Sequence, residues 1–233
     1  MAGNNGPKIV NSGLVMMFDA AAANARSGTG INTLFKDLSG NGYDFGVAQS
    51  SNLPTFVNSN GGSFQFDGTS DYFVRSTTSP KINSANVTYE AWFSITVLNS
   101  GLRGVIFTKK NNTKSLLTIE RNTTNGLISQ IGAVNTSPIS MTILNTVSIA
   151  WYCVSCTVNG TLATGYLNGS QVNTANLAAA LDTSDDYMGI GASVLTTSSY
   201  HTGLISSIKF YNRALSATEI RQNFDATRGR FGI

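Results

Sequence analysis

Charge is scarce in this chain. Only 12% of its 233 residues are Asp, Glu, Lys or Arg, about half the usual share of a soluble domain. Glu90, Glu120 and Glu219 are its whole glutamate complement, His201 is its one histidine, and Cys153 and Cys156 are its cysteines. Each shortage closes off a chemistry. One histidine and one cysteine pair do not complete a four-ligand zinc site. The Cys-x-x-Cys spacing falls in Val147 to Val158, which reads as a strand. Residues three apart on a strand point to opposite faces, whereas a disulfide needs Cα atoms within about 7 Å, so two buried free thiols are expected. The net charge of +3 is spread thinly, without the basic stripe of a nucleic-acid face. No run approaches the roughly 20 apolar residues of a membrane helix. Met1 to Val10 carries one Lys and no apolar core, so no signal peptide is expected and synthesis in the cytoplasm is.

Asn, Ser, Thr and Gly, with 23 Gly, fill the space left by charge. Gly and Asn suit tight turns, and Thr suits a pleated surface. Short extended runs recur between turn signals: Gly13 to Ala20, Ser63 to Asp67, Asp71 to Ser76, Gly104 to Thr108, Ser115 to Arg121, Leu127 to Val134, Thr146 to Val158, Tyr187 to Gly191 and Leu204 to Tyr211. Val87 to Val97 alternates most clearly, with Val87, Tyr89, Ala91, Phe93, Ile95 and Val97 on one face and Thr88, Glu90, Trp92, Ser94 and Thr96 on the other. That period of two predicts a half-buried strand. Asn168-Gly169 inside Gly165 to Val172 predicts a type I′ hairpin. Asp37 to Gly42 reads as a turn. Ser216 and Glu219 form a capping box, with Leu215 and Ile220 as its staple, predicting one helix over about 217–227 that Gly229 would stop. The expectation is a single all-β domain over 1–233: a two-sheet antiparallel β-sandwich with one short C-terminal α-helix and a docking tail at 228–233.

The ordered set Phe66-Asp-Gly68, Asp71-Tyr72, Tyr89-Glu-Ala-Trp92, Tyr166-Leu-Asn-Gly169, Gly189-Ile-Gly191 and Ile208-Lys-Phe-Tyr-Asn-Arg-Ala-Leu215 resembles the laminin-G-like, concanavalin-A-like lectin and glucanase jelly-roll domains. The resemblance runs from about Gly13 to Phe224. It implies a jelly-roll sandwich in which the first strand lies beside Leu204 to Tyr211. The ending Asn223 to Gly232 resembles the terminus of tailed-phage virion structural proteins. Together these imply a non-catalytic phage virion component, such as a capsid decoration, present in many copies among other virion proteins and in contact with host-surface glycans. The alternatives are a free-standing carbohydrate-binding module and, further off, a glycoside hydrolase.

Candidate sites follow from these readings. Glycoside hydrolysis needs two carboxylates roughly 5–9.5 Å apart, and Glu90 has no acid beside it on its strand face. No enzyme is expected. Calcium is the cofactor the resemblance brings, with Asp67 and Asp71 as candidate ligands, although both also suit plain turn chemistry. Asp185-Asp186 reads as a solvated loop. Trp92 and Trp151 are read as core. Tyr200 and His201, after a polar loop, are the candidate exposed ligand contacts. Arg228, Arg230 and Phe231 are the candidate docking residues, against a partner or against the protein's own sandwich.

Overall fold

The computed structural model describes residues 7–28, 33–76, 84–98, 103–110, 114–183, 187–192 and 199–233. Asp185 and Asp186, and 196–198 of the polar loop before Tyr200, lie outside them. The strands are β1 (Leu14–Asp19), β2 (Arg26–Ser27), β3 (Leu34–Phe35), β4 (Thr55–Val57), β5 (Ser63–Asp67) and β6 (Phe73–Ser76). Then come β7 (Val87–Ile95), β8 (Arg103–Lys110), β9 (Lys114–Arg121), β10 (Leu127–Ile131) and β11 (Ile139–Leu144). The last are β12 (Ala150–Asn159), β13 (Leu162–Leu167), β14 (Ser170–Asn176), β15 (Tyr187–Ile190) and β16 (Thr202–Tyr211), followed by α1 (Ala217–Thr227).

They form two antiparallel sheets and a small β2–β3 ribbon. The larger sheet has the order β14-β13-β12-β7-β16-β5-β4, with β1 also on β16. β5 and β1 share one edge of β16: Thr202 to Ile205 pair with β5, and Ser207 to Tyr211 pair with β1. The second sheet has the order β11-β10-β9-β8-β15-β6. One apolar core lies between them. At one side it is a chain of rings, with Phe18–Phe35, Phe35–Phe64 and Phe64–Phe73 each at 4.9 Å between centroids. Alternation explains β5, where Phe64 and Phe66 are buried and Gln65 is exposed.

The hairpin forms as expected. Asn168 and Gly169 take φ of 49° and 75°, the left-handed pair of a type I′ turn. The turn at Asp37 is organised by that carboxylate, which accepts from the amides of Met17, Ser39 and Tyr43 at 3.0, 2.9 and 3.1 Å. The capping box closes at both ends, Glu219 amide to Ser216 Oγ at 3.3 Å and Ser216 amide to Glu219 Oε2 at 2.9 Å, and Leu215 and Ile220 are buried in one cluster. Gly229 does not stop the helix. It sits within a 3-10 turn, Arg228–Arg230, that continues the chain inward from α1.

The strongest departure concerns β7. Its alternation predicts one wet face, yet all nine of its residues are buried. The cause is α1 and the turn after it, which lie over the outer face of the larger sheet. Trp92 stacks on Phe224 at 5.6 Å and on Phe231 at 4.1 Å. Thr88 Oγ1 donates to the Arg213 carbonyl at 2.8 Å and accepts from the Leu215 amide at 2.8 Å. The chain before β1 is tied in as well: Asn223 accepts from the Val10 amide at 2.8 Å and donates to the Tyr211 hydroxyl, which donates to the Val10 carbonyl at 3.0 Å. Gly169 fits here because a Cβ on it would lie 2.9 Å from the Phe224 side chain.

Candidate functional site

Pairing of Thr202 with Asp67 across β16 and β5 brings the 67–71 turn beside 199–202. Two sets of candidates about 130 positions apart thereby meet at one end of the sandwich. A Cβ on Gly68 would collide with the Thr202 hydroxyl, so glycine permits this approach.

Asp67 closes the turn on itself. Its Oδ1 accepts from the amides of Thr69, Ser70 and Asp71 at 2.8, 2.8 and 3.1 Å. Its Oδ2 accepts from the Ser70 hydroxyl at 3.0 Å and from the Thr69 hydroxyl. Burial pushes this carboxyl up, but the bonds from Thr69, Ser70 and Asp71 outweigh burial and hold it well below the usual range. Asp71 lies beneath, accepting from the Asp67 amide at 2.9 Å. Burial, helped by the neighbouring Asp67 charge, raises it to about 6 against the pull of that amide.

A calcium ion wants six to eight oxygens. Both Asp67 oxygens are already committed to five donors. Among the described residues no three His, Cys, Asp or Glu cluster in a way that could hold a metal. This donor set does not fit calcium. Of the two readings open at Asp67, turn chemistry is the one the geometry bears.

Tyr72 and Tyr200 stand beside the turn, both half-buried, with ring centroids 6.3 Å apart and planes tilted by 41°. Burial, and then the neighbouring Tyr200, raise the Tyr72 hydroxyl above its ordinary range. The segment before β4 braces the rim: the Tyr72 amide donates to the Asn52 carbonyl at 3.0 Å, and Asn52 Nδ2 donates to the Ser70 carbonyl at 3.0 Å.

His201 is not an exposed contact. It is 2% exposed, with its amide donating to the Gly191 carbonyl at 2.6 Å, Nε2 at 3.1 Å from the Ser94 carbonyl, and Phe66 and Phe93 around its ring. It follows directly on Tyr200 in sequence, yet Tyr200 lies beside Tyr72 while His201 lies among core rings. Arg230 and Phe231 dock on the protein's own sandwich. Arg230 grips Asp19 with Nη1 at 2.9 and 2.8 Å and reaches Ser206 Oγ at 2.8 Å, while Phe231 lies between Trp92 and Trp151. Arg228 stays near the surface, 3.0 Å from Asp225. Arg230 and Phe231 thus contact the protein's own sandwich, while Arg228, Gly229, Gly232 and Ile233 are exposed.

Each glutamate is buried or held by a neighbouring side chain. Glu90 Oε1 lies 2.7 Å from Lys209 Nζ, both side chains 1% exposed, and Glu90 Oε2 accepts from Ser155 Oγ at 3.0 Å. Burial works against the Lys209 charge, and Glu90 more than restores it. Glu120 is buried, and Glu219 is held by its cap and by a two-bond contact with Arg213, which lowers it to about 2. Cys153 and Cys156 are free and buried on opposite faces of β12, and burial pushes both thiols up, Cys156 to about 11. A thiol so placed is inert. Sequence reading missed the Glu90–Lys209 pair. The signal was present, a lone acid and a lone base on otherwise uncharged strands, but their pairing depends on the β7–β16 register.

The sequence family described as the concanavalin A-like lectin/glucanases superfamily matches residues 67–221. No curated protein matches the chain. Among solved structures, a Trypanosoma rangeli sialidase bound to an inhibitor superposes with a TM-score of 0.66 at 17% identity, over 93% of this chain and 33% of that one. The botulinum neurotoxin serotype G binding domain superposes with a TM-score of 0.68 at 16% identity, over 91% of this chain and 50% of that one. The chain therefore spans a third to a half of these neighbours, and the likeness is one of fold.

Proposed function

Since the chain belongs to the concanavalin A-like lectin/glucanase superfamily, a fold found both in a sialidase and in a toxin's binding domain, we propose that it is a non-catalytic binding module whose Asp67–Tyr72 and Tyr200 rim meets a glycan. The observation that carries this reading is the meeting, at one rim, of two half-buried tyrosines with a pre-formed polar turn. Such rings offer an apolar face and a hydroxyl together, and a turn locked by its own aspartate costs little to order on binding. The buried ion pair of Glu90 with Lys209 and the capping role of Glu219 support the non-catalytic part. A glycan array probed with the purified protein, beside Tyr72→Ala and Tyr200→Ala, is the test. The expected result is saturable binding to a defined glycan that falls at least tenfold in each variant. Binding untouched by both changes, or turnover of a bound glycan, would defeat the reading.

A finer reading makes this module a structural component of a phage particle, such as a capsid decoration. Its support is the resemblance of Asn223 to Gly232 to virion proteins. That segment has a folding role of its own here, so the particle assignment rests on resemblance. Mass spectrometry of purified virions decides it: stoichiometric copies are expected, and absence from intact particles rejects it.

A further inference from the structure

Most of the described arginines are occupied. Arg213, Arg221, Arg228 and Arg230 each hold a carboxylate, and Arg75 donates to a carbonyl. Arg26 differs. Its side chain has neither an ion pair nor a hydrogen bond among the described residues, and its guanidinium carbon lies 3.3 Å above the centre of the Phe56 ring. Stacking on an aromatic face fixes the plane of the guanidinium and leaves its edge N–H groups free to donate.

This guanidinium borders a cleft of about 310 Å³ between the β2–β3 ribbon and β4. Leu53, Pro54, Phe56 and Phe64 give it an apolar lining, and Ser27 and Thr33 supply hydroxyls. The volume lies at the small end of the roughly 300–1,000 Å³ of small-molecule sites. Among the described residues Arg26 is the cleft's one charged lining residue. A guanidinium fork matches a planar carboxylate with two parallel hydrogen bonds, and the apolar lining suits the face of a ring.

We propose that this cleft is a second binding site, separate from the tyrosine rim, for a small organic carboxylate of monosaccharide size, with Arg26 taking the carboxylate and Phe56 holding Arg26 in place. An acidic sugar residue and a free cyclic acid share this chemistry. The site stands whether or not the rim binds a glycan.

The test is an NMR titration of the intact protein with D-glucuronate, D-glucose, cyclohexanecarboxylate and inorganic phosphate. Glucuronate is expected to shift amides of residues 26–28, 53, 55 and 56 saturably, with a Kd on the order of 1–10 mM, the range of a weak single-site contact. Glucose, the same ring without the carboxylate, is expected to shift them at least tenfold more weakly. Equal binding of cyclohexanecarboxylate supports the site and points to a free acid, whereas preference for glucuronate points to a saccharide. Arg26→Gln should weaken glucuronate at least tenfold, and Arg26→Lys should recover only part of the loss. Both variants should keep wild-type melting temperatures, because the side chain is exposed. Glucose or phosphate binding as well as glucuronate, unchanged binding in Arg26→Gln, or no saturable shift would each overturn the proposal. Shifts confined to 67–72 and 200 would assign the ligand to the rim and likewise overturn it.

Discussion

Lys209 and Glu90 are each 1% exposed, and neither could stay charged there alone. Breaking a buried pair by removing one partner costs about 3–5 kcal/mol, whereas replacing both is often near neutral. Urea denaturation of Glu90→Gln, Lys209→Met and the double variant should therefore show the double variant more stable than either single one, with a coupling of about 2 kcal/mol or more. Additive losses would mean that the pair does not act as a unit. Asp71 makes the stability of the fold depend on pH. Its folded pKa, about 6, lies above the roughly 3.9 of a free aspartate. A carboxyl raised in this way favours the fold while protonated. Its contribution is complete below about pH 4 and is lost as pH rises through about 6. Asp71→Asn is permanently neutral and still accepts from the Asp67 amide. It should melt higher than wild type at pH 7.5 and equally at pH 3.5; an identical difference at both pH values would assign the effect to packing.

Among the elements, α1 and the turn after it do what a second layer would otherwise do for the outer face of the larger sheet. Phe231 is the far clamp, 6% exposed and stacked on Trp92 at 4.1 Å. Phe→Ala changes in cores cost about 3–5 kcal/mol. Phe231→Ala should lose about 3 kcal/mol in thermal or urea unfolding and red-shift the emission of Trp92 and Trp151 as water reaches them. Unchanged emission would show that the tail is not what covers the indoles. The helix was legible in the sequence because its signals are local: Ser216, Glu219, Leu215 and Ile220 lie within six positions. The hairpin at Asn168-Gly169 was legible for the same reason. β11 passed unnoticed, since Ile139 to Leu144 lies at an edge and buries only Met141 and Ile143 fully. The covered face of β7 was illegible from β7 itself. Thr88, Glu90 and Ser94 share the polar side of its alternation, and nothing within the strand announces that residues after Tyr211, more than 110 positions later, cover that face.

The molecule as a whole follows the jelly-roll pairing that the ordered motifs implied, with β1 antiparallel to β16. The site was legible only in part. Asp67, Asp71 and Tyr200 were found as separate pieces, and the β5–β16 register that gathers them is a long-range property. The Arg26 cleft went unseen because its walls come from three short segments of unremarkable sequence. The order of the strands bears on how the protein is made. β16 is the spine of the larger sheet, joined to β7 on one side and to β5 and β1 on the other, yet it is the last strand in the chain. Asp19 ends β1 and Thr202 begins β16, so at about 5–20 residues per second a ribosome takes on the order of 10–40 s to make what separates them. β1 waits through all of that interval, and β5 and β7 through what remains once each is made, with open edges that attract other strands. The nascent chain is therefore most exposed to misassociation just before β16 emerges.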